Sequence, residues 1–342
     1  VINSLGILYF HGYGTVKDYQ KAKKLFEISA KQDYSYAILN LGNMYYKGEG
    51  VNKDYKKAKE YYEKAAQLKN PFALYKLGKF YYHGYGVQQD YLKARQYYKL
   101  SANLNDSFPL QKLGKIYYYG YGVNKDFLKA KKYFELAAQL NNSSALYYLG
   151  YLCSTNIEFG FNISKAIKYL HKCIKIHKET CIIPDFVSNF YVNIKIYNRY
   201  YYHSNNYLGL IYLTYYNDIE KANEYIKEAA FGEYAYGQNN YGLFNQFYFD
   251  NIENAKHFFE KASKNQFALA DYNLGYIYEK ENKIEKSIVH YIKASNNEDN
   301  QLMYQKYHYK DKYFEASKTF IICFTNLKLC EYYFLQFKYD ES

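Results

Sequence analysis

The sequence predicts an all-α solenoid of about eight helix-turn-helix repeats, and three periodic features carry that prediction. A Leu-Gly pair recurs with a spacing of 36 residues, a Gly-x-Gly turn recurs with the same spacing, and an aspartate and an alanine follow each turn. The turns are Gly12/Gly14, Gly48/Gly50, Gly84/Gly86 and Gly120/Gly122. With 49% hydrophobic residues and only 3 prolines, the chain has the composition of a folded protein.

The first helix of each repeat is visible in the second copy. Its apolar residues are Ala37, Leu41, Met44 and Tyr45. Their spacing of i, i+4, i+7 and i+8 predicts one buried face of an amphipathic helix. Gly48 follows at the position of a left-handed C-terminal cap, which glycine adopts most easily because it lacks a β-carbon. We therefore expect a helix ending at this turn.

The second helix begins after an aspartate that can act as its N-cap, Asp54 in this copy. The mid-helix Gly42 costs about 1 kcal/mol relative to alanine, so its periodic return predicts a close contact between the two helices, with Ala58 as the expected neighbour. Gly50 is expected only to let the chain turn. A Gly42→Leu substitution is therefore predicted to destabilise the protein far more than Gly50→Ala.

The repeats become shorter in the C-terminal half, where Leu208-Gly209, Tyr241-Gly242 and Leu274-Gly275 are 33 residues apart. We predict five regular repeats over 1–178, the first of them truncated, and an insertion over 179–206. Three shorter repeats over 207–300 and a degenerate C-terminal capping repeat over 301–342 complete the predicted organisation. The chain opens on Val1 within a repeat, which suggests a processed product or a segment of a longer protein.

The combined pattern is A-x-x-x-L-G-x-x-Y-x-x-G-x-G-V-x-x-D-x-x-K-A-x-x-Y-x-x-x-A-A. It resembles the Sel-one-like repeat, a relative of the tetratricopeptide repeat, strongly over 1–178 and weakly over 203–300. The resemblance implies a right-handed superhelix and a non-catalytic scaffold or adaptor for proteins. The substrate-recruiting adaptor of the ubiquitin ligase for endoplasmic-reticulum-associated degradation is one such protein. The cysteine pair found in each repeat of some bacterial members is absent here.

No motif in the sequence indicates catalysis. The Gly-x-Gly turns resemble phosphate-binding loops, but such a loop is normally a single feature that follows a strand, so we interpret the four copies as structural turns. The five cysteines have no CxxC spacing, and HExxH, GxSxG and EF-hand patterns are absent. We therefore predict no catalytic, cofactor-binding or metal-binding residues. An enzyme site assembled from distant repeats is the alternative.

Two groups of residues are candidates for partner binding. The first is an aromatic column expected to line a groove; its members are Phe10, Tyr46, Tyr82 and Tyr118. The second is a cluster at the end of the insertion, where aromatic residues and arginine are the types enriched at binding hot spots; its members are Tyr197, Arg199, Tyr200, Tyr201 and Tyr202. The alternatives are that the column packs between repeats and that the insertion is a tolerated surface loop.

The net charge of +12 comes entirely from residues 1–150, which hold 23 basic and 11 acidic residues. Many of the lysines in this half lie on the second helix of each repeat, the B helix; Lys21, Lys57, Lys93 and Lys129 are examples. They could bind nucleic acid or another acidic surface, or could form a solvated face. We expect a protein partner, with an acidic protein among the candidates, rather than a small-molecule substrate. Membrane contact is expected only through a partner or a segment preceding Val1.

Overall fold

The computed structural model describes residues 1–102, 106–155, 161–181, 191–232 and 234–295, and side chains in these ranges except at 180–181, 191–198 and 295. Within the described residues the chain forms α-helices and one π-helical turn, Tyr212–Tyr216, without a β-strand. The helices are α1 (Ile2–His11), α2 (Tyr19–Ala30), α3 (Ser35–Lys47), α4 (Tyr55–Gln67), α5 (Pro71–His83), α6 (Tyr91–Ala102), α7 (Ser107–Tyr119), α8 (Phe127–Gln139), α9 (Ser143–Thr155), α10 (Ile163–Cys181), α11 (Tyr191–Ile211), α12 (Ile219–Phe231), α13 (Ala235–Tyr248), α14 (Ile252–Lys264), α15 (Ala268–Lys280) and α16 (Ile284–Ser295).

Two compact units make up the chain: residues 1–162 with 179–192, and residues 163–178 with 193–342. From α1 to α9 in the first unit, and from α12 to α16 in the second, each helix packs mainly against the helix before it and the helix after it. Packing between sequence neighbours is the property that defines a solenoid, and it confirms the predicted fold class. Odd-numbered helices are the A helices of the repeats, and even-numbered helices are the B helices.

The predicted caps are present at both ends of the connecting turns. Four glycines end A helices with left-handed φ angles of 72° to 77°, and each N–H donates to the carbonyl four residues earlier; they are Gly12, Gly48, Gly84 and Gly120. Four aspartates begin B helices by accepting a backbone N–H from three residues later at 2.8 to 3.0 Å; they are Asp18, Asp54, Asp90 and Asp126. Local chemistry therefore sets where these helices begin and end.

The mid-helix glycines of the A helices pack against an aromatic ring of the paired B helix. A β-carbon on Gly42 would lie 2.7 Å from the ring of Tyr62, and one on Gly78 would lie 2.6 Å from the ring of Tyr98. The predicted close contact is confirmed, but Ala58 is not the nearest neighbour. The same arrangement occurs at Gly6, Gly114, Gly242 and Gly275.

The second glycine of the turn also has a packing role, which the sequence interpretation missed. Gly50 has a φ of +72°, and a β-carbon there would overlap the β-carbon of Tyr19 on the preceding repeat. Gln20 also donates its side-chain N–H to the Gly50 carbonyl at 3.0 Å. The expectation that Gly50 only lets the chain turn is therefore wrong, while the predicted order of the Gly42→Leu and Gly50→Ala variants stays a prediction. Gly14 has a similar φ of +64° with no other atom within 4 Å of its β-carbon position.

The predicted domain boundaries are only partly within the described residues. The insertion over 179–206 is described at 179–181, in α10, and at 191–206, in α11. Helices α11 to α16 form three successive pairs of an A and a B helix over 191–295. The shorter repeats are predicted over 207–300, so the first of these pairs begins inside the predicted insertion. The predicted capping repeat over 301–342 lies outside the described residues, and its assignment stays a prediction.

Candidate protein-interaction surface

Tyr46 and Tyr82, two members of the predicted aromatic column, lie where one repeat meets the next. The ring centre of Tyr46 is 5.6 Å from that of Tyr55 on its own B helix and 5.6 Å from that of Phe80 on the next A helix. Tyr82 repeats the first contact one repeat later, with its ring centre 5.3 Å from that of Tyr91. Both side chains are half-buried.

The other two members of the column have equivalent positions. The ring centre of Phe10 is 5.2 Å from that of Tyr19, and the ring centre of Tyr118 is 5.6 Å from that of Phe127 and 5.4 Å from that of Tyr148. The column therefore packs within and between repeats, as the alternative interpretation expected. Its rings remain partly exposed, and their role in partner binding stays a prediction.

A pair of lysines lies beside this column on the A helix of the third repeat. Lys76 and Lys79 flank the Leu-Gly pair of α5. The Lys79 ammonium group is 5.3 Å from the ring centre of Tyr46 and donates a hydrogen bond to the Tyr46 hydroxyl at 3.3 Å. The Lys76 ammonium group is 5.8 Å from the same ring centre. Two cations therefore share one tyrosine of the preceding repeat.

A second pair occupies the same positions in the fourth repeat. The Lys112 ammonium group on α7 is 5.3 Å from the ring centre of Tyr82, and that of Lys115 is 5.0 Å from the ring centre of Tyr148. Cation–π contacts of this length are favourable, particularly where water is excluded. The four lysines and three tyrosines of these contacts form what we call the lysine–tyrosine surface; its members are Tyr46, Lys76, Lys79, Tyr82, Lys112, Lys115 and Tyr148.

The electrostatics of this surface are unfavourable within the chain itself. Burial lowers the pKa of Lys76 from 10.5 to about 8, and the charge of Lys79 adds to the effect. Burial also lowers the pKa of Lys112 to about 8, with further contributions from Lys115 and Lys79. The pKa of His83 falls to about 4, first through burial and then through Lys112 and Lys79. Perturbed groups of this kind cluster at functional sites.

Three of these lysines have no carboxylate to balance their charge. In the part of the chain that the structure describes, no carboxylate oxygen lies within 4.0 Å of the ammonium nitrogen of Lys76, Lys79 or Lys112. A partly buried cation without such a partner raises the free energy of the folded state. These charges therefore need a reason other than stability.

The basic surface is limited to two repeats. At the positions of Lys76 and Lys79, the second repeat carries Asn40 and Asn43. Asn40 donates to the side chain of Asn3 at 3.1 Å, and Asn43 accepts from the Tyr62 hydroxyl at 2.9 Å. In the fifth repeat the same positions are Tyr148 and Tyr151. Neutral side chains thus serve at these positions in neighbouring repeats, so the fold does not require lysine there.

The B-helix lysines, which the sequence analysis singled out, behave differently. Several form ion pairs with a carboxylate on the same helix or at its cap, with N···O distances from 2.8 to 3.9 Å; the pairs are Lys21–Asp18, Lys23–Glu27, Lys59–Glu63, Lys93–Asp90, Lys129–Asp126 and Lys131–Glu135. This pairing supports the solvated-face alternative. The sequence analysis missed the A-helix lysines, although aligning the repeats places Asn40, Lys76 and Lys112 in one column.

The predicted cluster at the end of the insertion includes two tyrosines with little exposed surface. Tyr200 and Tyr201 are buried in the second unit. The Tyr201 hydroxyl donates to the Glu228 carboxylate at 2.7 Å, and its ring centre is 4.2 Å from that of His177. Both tyrosines thus pack within the unit, and their role in partner binding stays a prediction.

The remaining members of this cluster have mixed environments. Arg199 is exposed, and the half-buried Tyr202 packs close to Gly232, where a β-carbon would lie 2.5 Å from its ring. The side chain of Tyr197 lies outside the described residues. Arg199 is thus the described member of the cluster that is available to a partner.

The glycine turns have the geometry of helix caps rather than of a phosphate-binding loop. In the second repeat, the N–H groups of Gly48 and Glu49 both donate to the carbonyl of Met44, at 2.8 and 3.1 Å. The first, third and fourth turns make the same two bonds. A phosphate-binding loop needs free N–H donors, so these turns are structural, as the sequence analysis interpreted them.

The described residues contain no cluster of three or more His, Cys, Asp or Glu side chains that could hold a metal ion. A buried polar network does occur in the second unit, where Asp271 accepts from Ser263 at 2.7 Å and contacts His290 at 2.9 Å. Both partners contact the same carboxylate oxygen, and the network therefore joins three helices through Asp271. Among the described residues, Ser263 and His290 do not contact each other as the serine and histidine of a catalytic triad do. Across the same described residues, no helix has the length and apolar character of a membrane span.

The family model for the Sel1 repeat matches the chain at residues 2–34, 35–70, 71–106, 110–142, 143–173, 232–267 and 268–299. The chain belongs to the Sel1 repeat family. This confirms the resemblance drawn from the repeat pattern. Sel1 repeat proteins generally serve as non-catalytic scaffolds for protein interactions. No curated protein matches the sequence of this chain.

Two solved structures show the same Sel1 repeat architecture. A Sel1 repeat protein from Oxalobacter formigenes is 26% identical with a TM-score of 0.55, and the match covers 67% of this chain and 85% of that one. The c5321 protective antigen of uropathogenic Escherichia coli strains, which displays an SLR fold, is 23% identical with a TM-score of 0.51, and covers 96% of this chain and 74% of its own. The second likeness shows the fold alone.

Proposed function

We propose that this Sel1 repeat protein is a non-catalytic scaffold that holds a partner protein on the lysine–tyrosine surface of its first unit. One observation carries the proposal. Lys76, Lys79 and Lys112 are half-buried beside tyrosine rings without a carboxylate partner among the described residues, whereas asparagine fills the equivalent positions of the second repeat. Groups whose charge is disfavoured by burial and by like charges cluster at functional sites.

The composition of this surface suits protein recognition. Tyrosine offers a large apolar ring and a hydroxyl group, with few rotatable bonds to order on binding. Packing between repeats already holds Tyr46 and Tyr82 in place, which reduces the entropy that a partner must overcome. The surface is therefore preorganised before a partner arrives.

The repeat resemblance implies one more specific candidate role, that of the substrate-recruiting adaptor of an endoplasmic-reticulum-associated-degradation ubiquitin ligase. Binding of nucleic acid through the basic half is the other candidate function. The ion pairs of the B-helix lysines reduce the support for that alternative, because a paired lysine must give up its carboxylate to bind a phosphate.

A site-specific crosslinking experiment tests the scaffold role. A photoreactive lysine analogue replaces Lys79 on the A helix of the third repeat, or Lys93 on the B helix of the same repeat, in the full chain within the cells that express it. We expect a discrete crosslinked protein from position 79 and not from position 93, identified by mass spectrometry. A ubiquitin-ligase subunit among the products would favour the adaptor role.

The crosslinked protein is then purified and its affinity is measured with and without the Tyr82→Ala substitution. Equal crosslinking from the two positions would contradict the proposal. A product at position 79 that consists of nucleic acid rather than protein would contradict it as well.

A further inference from the structure

The geometry points to a short, extended and acidic peptide segment as the ligand of the lysine–tyrosine surface, with its carboxylates placed against Lys76, Lys79 and Lys112. This inference rests on the proposed scaffold function and adds the chemical class of the partner. It rests on three observations. Lys76, Lys79 and Lys112 have no carboxylate partner among the described residues, tyrosine rings lie beside them, and this row of lysines is limited to two A helices.

The cations form one connected group rather than separate surface lysines. The charge of Lys79 acts on Lys76 of its own helix, on Lys112 of the next A helix and on His83. Like charges held this close repel one another, and burial adds a desolvation cost. A carboxylate placed among them would supply the missing counter-charge for several lysines at once. An acidic ligand therefore gains more here than at the ion-paired lysines of the B helices.

The extent of the surface sets the length of the ligand. At the positions that flank the Leu-Gly pair, lysines occupy the two A helices α5 and α7, and Asn40 and Tyr151 mark the ends of the row. Lys47 of α3 also acts on Lys76, but it forms an ion pair with Glu49 at 3.4 Å. An α-helix with its side chains is about 10–12 Å across, so two A helices side by side span about 20 Å, which about six extended residues would cover. A segment of about six residues with two or three carboxylates fits these limits.

Nucleic acid fits the same surface less well. The chain has only two arginines, Arg95 and Arg199, and neither belongs to the lysine–tyrosine surface. Because the arginine fork matches carboxylates as well as phosphates, its absence does not separate the two ligands; the number of cations does. Nucleic-acid binders commonly neutralise about 6–10 phosphates, whereas this surface offers at most four ammonium groups. The chemistry therefore favours the carboxylates of a protein segment.

Fluorescence anisotropy with a fluorescein-labelled peptide of six glutamates tests this inference on the full chain. The variant is the pair Lys76→Met and Lys112→Met, since methionine keeps the unbranched apolar stem. The matched control is the pair Lys93→Met and Lys129→Met, which removes the same charge from the B helices of the same two repeats. Circular dichroism verifies that both variants are folded.

We expect the A-helix variant to weaken binding of the glutamate peptide at least tenfold and the control to change it less than twofold. A six-glutamine peptide should not bind measurably. Equal losses in the two variants would show attraction by net charge alone and would overturn the inference. Binding of the glutamine peptide, or tighter binding of a twelve-nucleotide oligothymidylate than of the glutamate peptide, would overturn it as well.

The outcomes also separate this inference from the proposed function. A protein crosslinked at Lys79, together with no binding of the glutamate peptide, would leave the scaffold role standing and reject the acidic ligand. Binding of the glutamate peptide that depends on Lys76 and Lys112, together with no protein crosslinked at Lys79, would support the acidic site and reject the scaffold role.

Discussion

The contact between Gly78 and Tyr98 allows a quantitative prediction for the variant Gly78→Ala. The added β-carbon would lie 2.6 Å from the ring, whereas ordinary contacts begin at 3.4 Å. Tyr98 is fully buried, so its ring cannot turn into solvent and α5 must move away from α6 by about 1 Å. Overpacking of a core costs about 1–3 kcal/mol, and we expect the upper end because α5 and α6 also pack against other helices.

The higher helix propensity of alanine offsets about 1 kcal/mol of this overpacking cost. We therefore expect a net loss of about 2 kcal/mol in the free energy of unfolding, measured by urea denaturation. Tyr98→Leu would also destabilise the protein when made alone, because it leaves a cavity. Combining it with Gly78→Ala should cost less than the sum of the single variants, since the smaller side chain leaves room for the new methyl group.

Additive losses in this double-mutant cycle, or a stabilising Gly78→Ala, would refute the packing argument. Gly14→Ala is the control for backbone strain, because it places alanine at a positive φ with no other atom within 4 Å. Its loss should be about 1–2 kcal/mol.

Three further predictions follow from other contacts. Tyr62→Phe should lower the free energy of unfolding by about 1 kcal/mol, because the Tyr62 hydroxyl donates to Asn43 at 2.9 Å. Tyr98→Phe should be neutral or stabilising, because the buried Tyr98 hydroxyl has no partner among the described residues. Urea denaturation of the two variants compares them directly. Lys76→Met should raise stability at pH 7 by about 1–2 kcal/mol after solvent screening. Because the folded pKa of about 8 lies below the usual 10.5, the penalty on the charged lysine is full below pH 8, so this gain should disappear near pH 10.5; a gain that is independent of pH would contradict the electrostatic explanation. Asp54→Ala removes the N-cap bond to Lys57 and should lower stability by about 1 kcal/mol, while an unchanged melting curve would show that the cap contributes nothing.

The repeat period was sufficient to predict the helices, their caps and the structural nature of the glycine turns. These features depend on interactions within a few residues of the chain. A left-handed cap needs glycine at Gly48, and an N-cap needs a side-chain oxygen at Asp54, whatever lies elsewhere in the fold. The periodic Gly42 likewise indicated a close helix contact, although not its partner.

Which side chains meet across the repeats was decided only by the tertiary structure. The sequence shows lysines on both helices of a repeat, but only the packed helices reveal that Lys93 pairs with Asp90 while Lys76 faces Tyr46 and other cations. The burial of Tyr201, a member of the predicted binding cluster, likewise became visible only in the packed helices. The physical reason is that burial and charge pairing depend on the positions of neighbouring helices, and periodicity along the chain constrains those positions without specifying each contact.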